Sequence, residues 1–351
     1  MGCPEIQNAT PLVFESLFLT DEEARPLLVP LVQATYAIDR EGLSVAEEQL
    51  PIELAGQFNG EPGASSYRYE PQCAFTKAAT DVVLLGHAHP AAAGATETMV
   101  ALQVGALRRG VRVVGDRVFF QSLAGIGISR PAPLEPVPLL WERAFGGWDR
   151  RNPDPAQHAC EQRNPVGVGF RCAGSPFEEG VSLPNIEDPA EILTAWGQRV
   201  TPAGFGFVSP HWAPRASFAG TFDASWEAGR APLLPLDFDR RFLNAAAPGL
   251  IATGFLKGDE PVSVVGATSE GRLSFRLPGL PPPAVRVSFA IGRDRDVPMQ
   301  FDTVIIDADE ERVVIQWRGS TRLREGPRDV RSISLTCAPV RKTAAANGSV
   351  S

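Results

Sequence analysis

Glycine and proline are unusually dense in this chain, which has 33 glycines and 32 prolines in 351 residues. The two together average about 12% of a protein, and both interrupt helices, because glycine costs backbone entropy and proline lacks an amide proton. A helical bundle is therefore excluded. Hydrophobic residues make up 44% of the chain, enough to bury a large core. We predict a mainly β fold with antiparallel, sandwich-like sheets, long ordered loops and one or two short helices.

Strand patterns in the first third begin with a hairpin, because residues 28–38 and 43–45 flank the turn Asp39-Arg-Glu-Gly42. Three β-rich runs follow, at residues 82–85, 98–104 and 111–120. In the middle run Val100, Leu102 and Val104 alternate with smaller or polar residues, which places one face of the strand on a core. We predict that the three runs form one antiparallel meander.

The last third returns to strand patterns, which predict five strands at residues 261–265, 272–277, 285–291, 303–306 and 313–317. An acidic turn, Asp307-Ala-Asp-Glu-Glu311, separates the last two. Residues 341–351 are small and polar, and are predicted to be a disordered tail. We expect residues 10–340 to form a single β-rich domain.

Residues 131–248, called the central segment below, combine aromatic residues, Asn-Pro steps and glycines without a sustained period. A helix is predicted over residues 188–196, because Asp188 can cap it, Pro189 suits the first position and Gly197 ends the run. Residues 237–246 are a weaker helix candidate. The rest of the segment is expected to be irregular but packed.

Charge and cysteine content narrow the class of partners and the compartment. The formal net charge is −8, which argues against binding to nucleic-acid phosphates and against a polybasic membrane anchor. The first eight residues carry neither the positive charge nor the apolar run of a secretory signal, and no uninterrupted apolar span is long enough to cross a membrane. Five cysteines without a CxxC pair fit a reducing compartment. We predict a cytoplasmic protein.

Metal and cofactor motifs are weak or missing in this sequence. It contains no GxGxxG, Walker, HExxH or GxSxG motif. His87 and His89 alternate on a strand-like run and could chelate a metal, but two solvated imidazoles are the simpler interpretation. His158, Cys160 and Cys172 form a second possible ligand set, whose 12-residue gap is wide for zinc. The sequence therefore predicts neither a metal nor a cofactor.

Two carboxylate pairs, Asp237 with Asp239 and Asp223 with Glu227, lie beside aromatic residues such as Trp226. Paired carboxylates and sugar-stacking aromatics are typical of glycosidases, whose acid and base face each other. Aspartates in such surroundings also cap helices and form Asx turns. A glycan-acting hydrolase or carbohydrate-binding protein is therefore the alternative function.

Short motifs follow one another through the central segment: Leu139-Leu-Trp-Glu-Arg-Ala-Phe-Gly-Gly-Trp-Asp149, Asn164-Pro-Val-Gly-Val-Gly169, Leu183-Pro-Asn-Ile-Glu187, Gly204-Phe-Gly206, Trp212-Ala-Pro-Arg215, Ala219-Gly-Thr-Phe-Asp-Ala-Ser-Trp226 and Leu236-Asp-Phe-Asp239. Three more precede them: Phe75-Thr-Lys77, Thr80-Asp-Val-Val-Leu-Leu-Gly86 and Val114-Gly-Asp-Arg117. In this order they resemble a bacterial domain-of-unknown-function family encoded beside the spike protein and toxic effectors of type VI secretion systems. The resemblance covers roughly residues 25–320.

The resemblance implies an adaptor or chaperone that binds an effector toxin and helps load it onto the spike protein, without catalysis. Trp141, Trp148, Trp212 and Trp226 are either partner-binding anchors or buried core. A module that joins toxin and spike permanently is a less supported interpretation. The motif or partner-binding candidates are Trp141, Arg143, Phe145, Gly146, Gly147, Asn164, Pro165, Gly167, Trp212, Arg215, Gly220, Thr221, Asp223, Trp226, Asp237 and Asp239.

Overall fold

The computed structural model describes residues 4–337, in which strands predominate. The mainly β fold, its mostly antiparallel sheets and its few short helices are confirmed. The described part contains one α-helix, Ala224–Gly229, and five 3-10 turns, Trp141–Arg143, Pro155–Gln157, Arg215–Phe218, Arg240–Leu243 and Pro327–Asp329. No helix within it is long and apolar enough to span a membrane. The predicted disordered tail, residues 341–351, lies outside the described residues.

A seven-stranded sheet forms around the 14-residue strand Pro26–Asp39, which is buried along nearly its whole length. The path of the sheet is Val13–Thr20, Pro26–Asp39, Arg312–Gly319, Met299–Asp307 and Asp81–Leu85, with Gly42–Val45 and Thr321–Arg322 also paired to the long strand. The hairpin predicted at residues 28–45 is confirmed. Strands covered on both faces have continuous apolar runs, as the long strand does.

A five-stranded sheet follows the order Ile186–Glu187, Leu107–Val114, Glu97–Val104, Pro261–Val265 and Arg272–Arg276. Val100, Leu102 and Val104 are buried, as their alternation predicted. The three-run meander is wrong, because Asp81–Leu85 lies in the other sheet, parallel to Met299–Asp307. Its five residues are all buried, which marks a strand covered on both faces rather than one in a half-exposed meander.

The remaining strands form one four-stranded sheet and several short ladders. The sheet follows the order Glu5–Asn8, Val330–Thr336, Ala284–Phe289 and Arg295–Val297. The ladders pair Gln57–Phe58 with Tyr67–Tyr69, His87–Ala88 with Val137–Pro138, Phe119–Ser122 with Gly125–Ile128, Phe145–Gly146 with Val168–Gly169, and Trp148–Asp149 with Ala159–Cys160. All five strands predicted in the last third are confirmed, most of them with shifted ends.

The helix predicted over residues 188–196 is wrong. Asp188 accepts a hydrogen bond from the Ala190 amide and forms an isolated bridge with Glu191. The amides of Thr194 and Ala195 donate to the Gln198 side chain. These side chains occupy the amides that a helix would use, which is the usual competition between Asx or amide side chains and helical bonds. In the weaker candidate, residues 237–246, only the turn Arg240–Leu243 is helical.

The hydrophobic core is shared by the three large sheets and the central segment. One cluster takes members from all four parts, among them Leu28 of the seven-stranded sheet, Val100 and Val264 of the five-stranded sheet, Val287 of the four-stranded sheet, and Phe205, Phe207 and Trp212 of the central segment. A second, smaller cluster lies mostly within the central segment and includes Phe145, Phe170, Leu183 and Leu193. The central segment therefore packs on the sheets, while the single-domain boundaries stay a prediction.

Candidate binding site

The first group of motif residues forms a cluster around Asn164, called the Asn164 cluster below. Its members are Trp141, Phe145, Gly146, Gly147, Asn164 and Gly167. Asn164 lies at its centre and holds a neighbouring loop. Its side-chain amide donates to the carbonyls of Trp141 at 2.7 Å and Phe145 at 3.0 Å. Asn164 is fully buried, and Pro165 beside it is half-buried. A buried amide with two carbonyl partners fixes irregular backbone that has no long strand ladder of its own. Asn164 therefore holds the loop that carries Trp141 and Phe145 in place.

Glycine is required in the Asn164 cluster because two backbone segments approach each other closely. A Cβ atom on Gly146 would overlap the Asn164 carbonyl oxygen, and one on Gly147 would overlap that of Gly167. Gly147 also has a φ of +94°, which side chains rarely adopt. On Gly167 itself, a Cβ would lie 2.6 Å from the Ala144 carbonyl oxygen. The two backbone segments can therefore pack this closely only because these positions carry no side chain.

The four tryptophans differ in their accessibility. Trp141 and Trp212 are buried and meet edge to face, with ring centroids 6.2 Å apart. Trp148 is exposed, with the Arg150 guanidinium over its ring. Trp226 is half-buried, and its indole donates to the Leu233 carbonyl. Only Trp148 and Trp226 can therefore meet a partner without a rearrangement of the core.

Buried carboxylates connect the Asn164 cluster to the rest of the central segment. Glu161 is 1% exposed and pairs with Arg163 at 2.7 Å and Arg199 at 3.0 Å. Burial opposes its ionisation, yet the hydrogen bonds from these two arginines lower the pKa of Glu161 to about 2. Asp149 is held in the same way by Arg151, which places its pKa well below the usual range.

Arg215 joins the central segment to the N-terminal third of the chain. Its guanidinium pairs with buried Glu70 at 2.5 Å and donates to the carbonyls of Phe242 and Val208. It also lies over the Phe242 ring. Burial raises the pKa of Glu70, although the positive charge of Arg215 acts to lower it.

Arg143, the other arginine singled out by sequence, is exposed and contacts Asn185 at 3.5 Å.

An apolar groove of about 410 Å³ opens beside Arg215. Its walls come from the segment before Asp81–Leu85, from the turn Arg215–Phe218 and from residues 246–254. The apolar side chains that line it include Ala79, Val208, Phe218, Ala246 and Ile251. The Arg241 guanidinium, which also lines the groove, lies 4.2 Å from the centroid of the Phe218 ring. A groove of this size and composition can take an apolar side chain of a partner.

The second group of motif residues forms a helical loop, residues 219–239, next to this groove. The Asp239 amide donates to the Phe218 carbonyl, and Asp237 accepts from the amide and hydroxyl of Thr221. A Cβ on Gly220 would lie 2.7 Å from Pro235, so the two ends of the loop run side by side. Since Phe218 lines the groove, the loop begins and ends at its edge.

The helical loop exposes two large apolar side chains, Phe222 at 54% and Leu236 at 86%. Phe222 meets Trp226 edge to face. Two salt bridges connect this region to the turn before the long strand: Arg230, within the loop, pairs with Glu23, and Arg240, directly after the loop, pairs with Glu22. The loop is thus fixed to the sheet while its apolar side chains face solvent.

Three of the four carboxylates considered as catalytic pairs, Asp223, Asp237 and Asp239, bind local backbone amides. Asp223 accepts from the Trp226 amide at 2.8 Å and caps the α-helix. Asp239 caps the turn Arg240–Leu243 and pairs with Arg241. The hydrogen bonds from Thr221 lower the pKa of Asp237, and those from Arg241 lower the pKa of Asp239. Both carboxyls are therefore held in the ionised form.

The possible metal ligands are dispersed over the molecule. The His87 ring contacts Asp309 at 2.7 Å, and the His158 ring contacts the Asn152 carbonyl. Within residues 4–337, no three His, Cys, Asp or Glu side chains are grouped as a metal site would require. The four cysteines in that range are free thiols.

Several residues in and around the groove had no distinguishing sequence signal. Glu70 and Ile251 come from two separate stretches of the chain, and only the fold brings them near Arg215. A lone glutamate in a polar stretch is normally a surface residue, so its burial could not be foreseen.

Comparison with known protein families identifies the family of this chain. The family described as "uncharacterized protein conserved in bacteria" (DUF2169) matches residues 23–318. No curated protein and no solved structure matches the chain. The matched range contains both groups of motif residues and the apolar groove. The chain therefore belongs to this uncharacterized bacterial family.

Proposed function

We propose that the protein is an adaptor or chaperone that binds an effector toxin of a type VI secretion system and helps load it onto the spike protein. The observation that carries the binding role is the apolar groove beside a helical loop that exposes Phe222 and Leu236. Apolar side chains fixed in an exposed position are typical of protein contact sites. The secretion partners rest on the resemblance of the motif series alone.

A binding role also suits the chemistry of the aspartates better than hydrolysis does. A glycosidase needs one carboxyl with a raised pKa to act as general acid. The pKa values of Asp237 and Asp239 are lowered, and both carboxylates are engaged by neighbouring backbone and side chains. These two residues support the loop rather than donate a proton.

Co-purification from a bacterium that also carries the neighbouring genes tests the proposal. The tagged wild-type protein is expected to retain an effector at fixed stoichiometry, which quantitative mass spectrometry would identify. The double variant Phe222→Ser with Leu236→Ser should lose it. Leu123→Ser is the matched control, because Leu123 is a fully exposed leucine at the tip of a separate hairpin, and it should retain the effector.

Two results would contradict the proposal in different ways. Recovery of the wild-type protein alone would oppose the adaptor role. Equal recovery of an effector by the wild type and the double variant would oppose the groove and loop as its binding site. Circular dichroism of each variant would verify that the exposed substitutions leave the fold intact.

A further inference from the structure

A second groove, distinct from the apolar one, is lined by arginines. It has a volume of about 560 Å³ and lies between residues 289–295, which join two strands of the four-stranded sheet, and residues 322–329. Its arginines, which define the arginine groove, are Arg293, Arg295, Arg322, Arg324 and Arg328. All five are exposed.

The charge of this groove is opposite to that of the whole chain. Five arginines line it against two acidic residues, Glu325 and Asp329, whereas the chain carries a net charge of −8. The Asp329 carboxylate is engaged by the backbone amides of residues 324–326. A concentration of cations in an acidic protein makes a local field that attracts anions.

Two of the arginines are available to a ligand. Within residues 4–337, the guanidinium groups of Arg293 and Arg324 make no hydrogen bond, and Arg324 lies near enough to Asp329 to help lower the pKa of that carboxyl. Arg295 is positioned by the Thr321 hydroxyl and lies over the Phe289 ring. Arg322 approaches Asp21 only at 4.0 Å. Available guanidinium groups on both walls of a groove suit bidentate contacts with carboxylates.

The groove also presents apolar surface. Ile291, in the strand connection, is 79% exposed, and Phe289 and Leu323 also line the groove. A purely electrostatic site for phosphate groups needs no such surface.

We propose that the arginine groove binds an acidic segment of a partner protein. Aspartate or glutamate side chains of the segment pair with Arg293 and Arg324, and an apolar residue between them packs on Ile291. This goes beyond the proposed adaptor role, because it names a second surface, at a different sheet, and the chemistry of the chain that binds there. It holds whether or not the apolar groove binds an effector.

Fluorescence anisotropy with purified full-length protein tests the inference directly. The probe is a labelled decapeptide of alternating Glu and Leu, compared with the same peptide carrying Gln for Glu and with a single-stranded oligonucleotide of equal charge. We expect the acidic peptide to bind more tightly than either comparison probe, and to weaken as NaCl rises from about 50 to about 300 mM, since exposed charges are screened.

The double variant Arg293→Glu with Arg324→Glu should weaken peptide binding by at least about tenfold. The neutral pair Arg293→Gln with Arg324→Gln should give a smaller loss. The matched control Arg40→Glu with Arg108→Glu makes the same charge change at exposed positions outside the groove and should change binding less than about twofold.

Three results would overturn the inference. They are no binding of the acidic peptide at low salt, an equal loss in the control variant, and tighter binding of the oligonucleotide than of the peptide. Because the probe is synthetic, these results are independent of whether an effector co-purifies with the protein.

Discussion

The seven-stranded sheet and the central segment are stabilised by different means. Strands of the sheet are joined by regular ladders, and nearly every residue of Pro26–Asp39 and Arg312–Gly319 is buried. The central segment has short ladders only, and its backbone is held by side chains such as Asn164, Glu161 and Arg215. Apolar contacts are numerous and interchangeable, whereas each buried polar side chain holds specific partners.

This difference predicts how the two regions respond to substitution. Removing one methyl group from the sheet leaves the ladder and most of the packing in place. Removing one polar side chain from the central segment leaves its partners buried without a bond. The central segment should therefore lose more stability per substitution, although it contains little regular structure.

The largest effect is expected for Arg215→Met, which leaves the buried Glu70 carboxylate without its cation. Breaking one side of a buried ion pair costs about 3–5 kcal/mol. Ile315→Val in the seven-stranded sheet is the control, and a fully buried Ile→Val change costs about 0.5–1.5 kcal/mol. Denaturant unfolding of both variants measures the difference. A smaller cost for Arg215→Met than for Ile315→Val would refute the contrast between the regions.

Gly147→Ala should have the next largest effect. The new Cβ would clash with the Gly167 carbonyl oxygen at a positive φ, and overpacking together with backbone strain costs about 2–4 kcal/mol. Gly110→Ala is the control in the five-stranded sheet, where the nearest atom to a Cβ is 3.8 Å away. That change should be neutral or stabilising by up to about 1 kcal/mol. Equal melting temperatures for the two variants would contradict this account.

Acid should weaken the central segment through Glu161. Because its folded pKa of about 2 lies below the ordinary value of 4.5, its contribution is present above pH 4.5 and is lost as the pH falls toward 2. Glu161→Gln should be less stable than the wild type at pH 7, and the difference should shrink as the pH falls from about 4.5 to about 2. Thermal unfolding across this range measures it.

The control for this prediction is Glu15→Gln, at an exposed position of an edge strand. It should stay close to the wild type at every pH. A difference between Glu161→Gln and the wild type that is constant with pH would show that the ion pairs with Arg163 and Arg199 do not govern the acid response.

The smallest effect is expected for Asp223→Ala, which removes the cap of the exposed α-helix. The loss should be less than about 1 kcal/mol, because the helix has only six residues and is mostly exposed. Hydrogen exchange at the Trp226 amide, which donates to Asp223, should accelerate. Ser225→Ala in the same helix should leave it unchanged, and unaltered exchange in Asp223→Ala would contradict the capping role.

Strands could be predicted from sequence where the pattern is local. The alternation of Val100, Leu102 and Val104 and the turn at residues 39–42 located their strands correctly. The sheet to which a strand belongs could not be predicted, and Asp81–Leu85 was assigned to the wrong one. This strand pairs with Thr303 and its neighbours, far along the chain, and no local pattern carries that information.

The motif residues illustrate the same limit in the site. Their order along the chain indicated a bacterial family of unknown function, and the aspartates near Trp226 were correctly weighed as possible caps. The sequence could not separate buried Trp141 and Trp212 from exposed Trp148. All three stand in similar aromatic and glycine-rich or proline-rich surroundings, so their exposure depends on the packing of distant segments.

Residue periodicity and turn chemistry were sufficient to predict the mainly β class and ten of the strands, and motif order indicated the bacterial family, because these signals lie in local stretches of the chain. Strands such as Val13–Thr20 and Val330–Thr336 were not predicted. The partner of each buried charge, such as Glu70 for Arg215, and the two surface grooves emerge only on folding. Ion pairs and grooves form between segments far apart in the chain, and their energies depend on distance and burial, which a linear pattern does not contain.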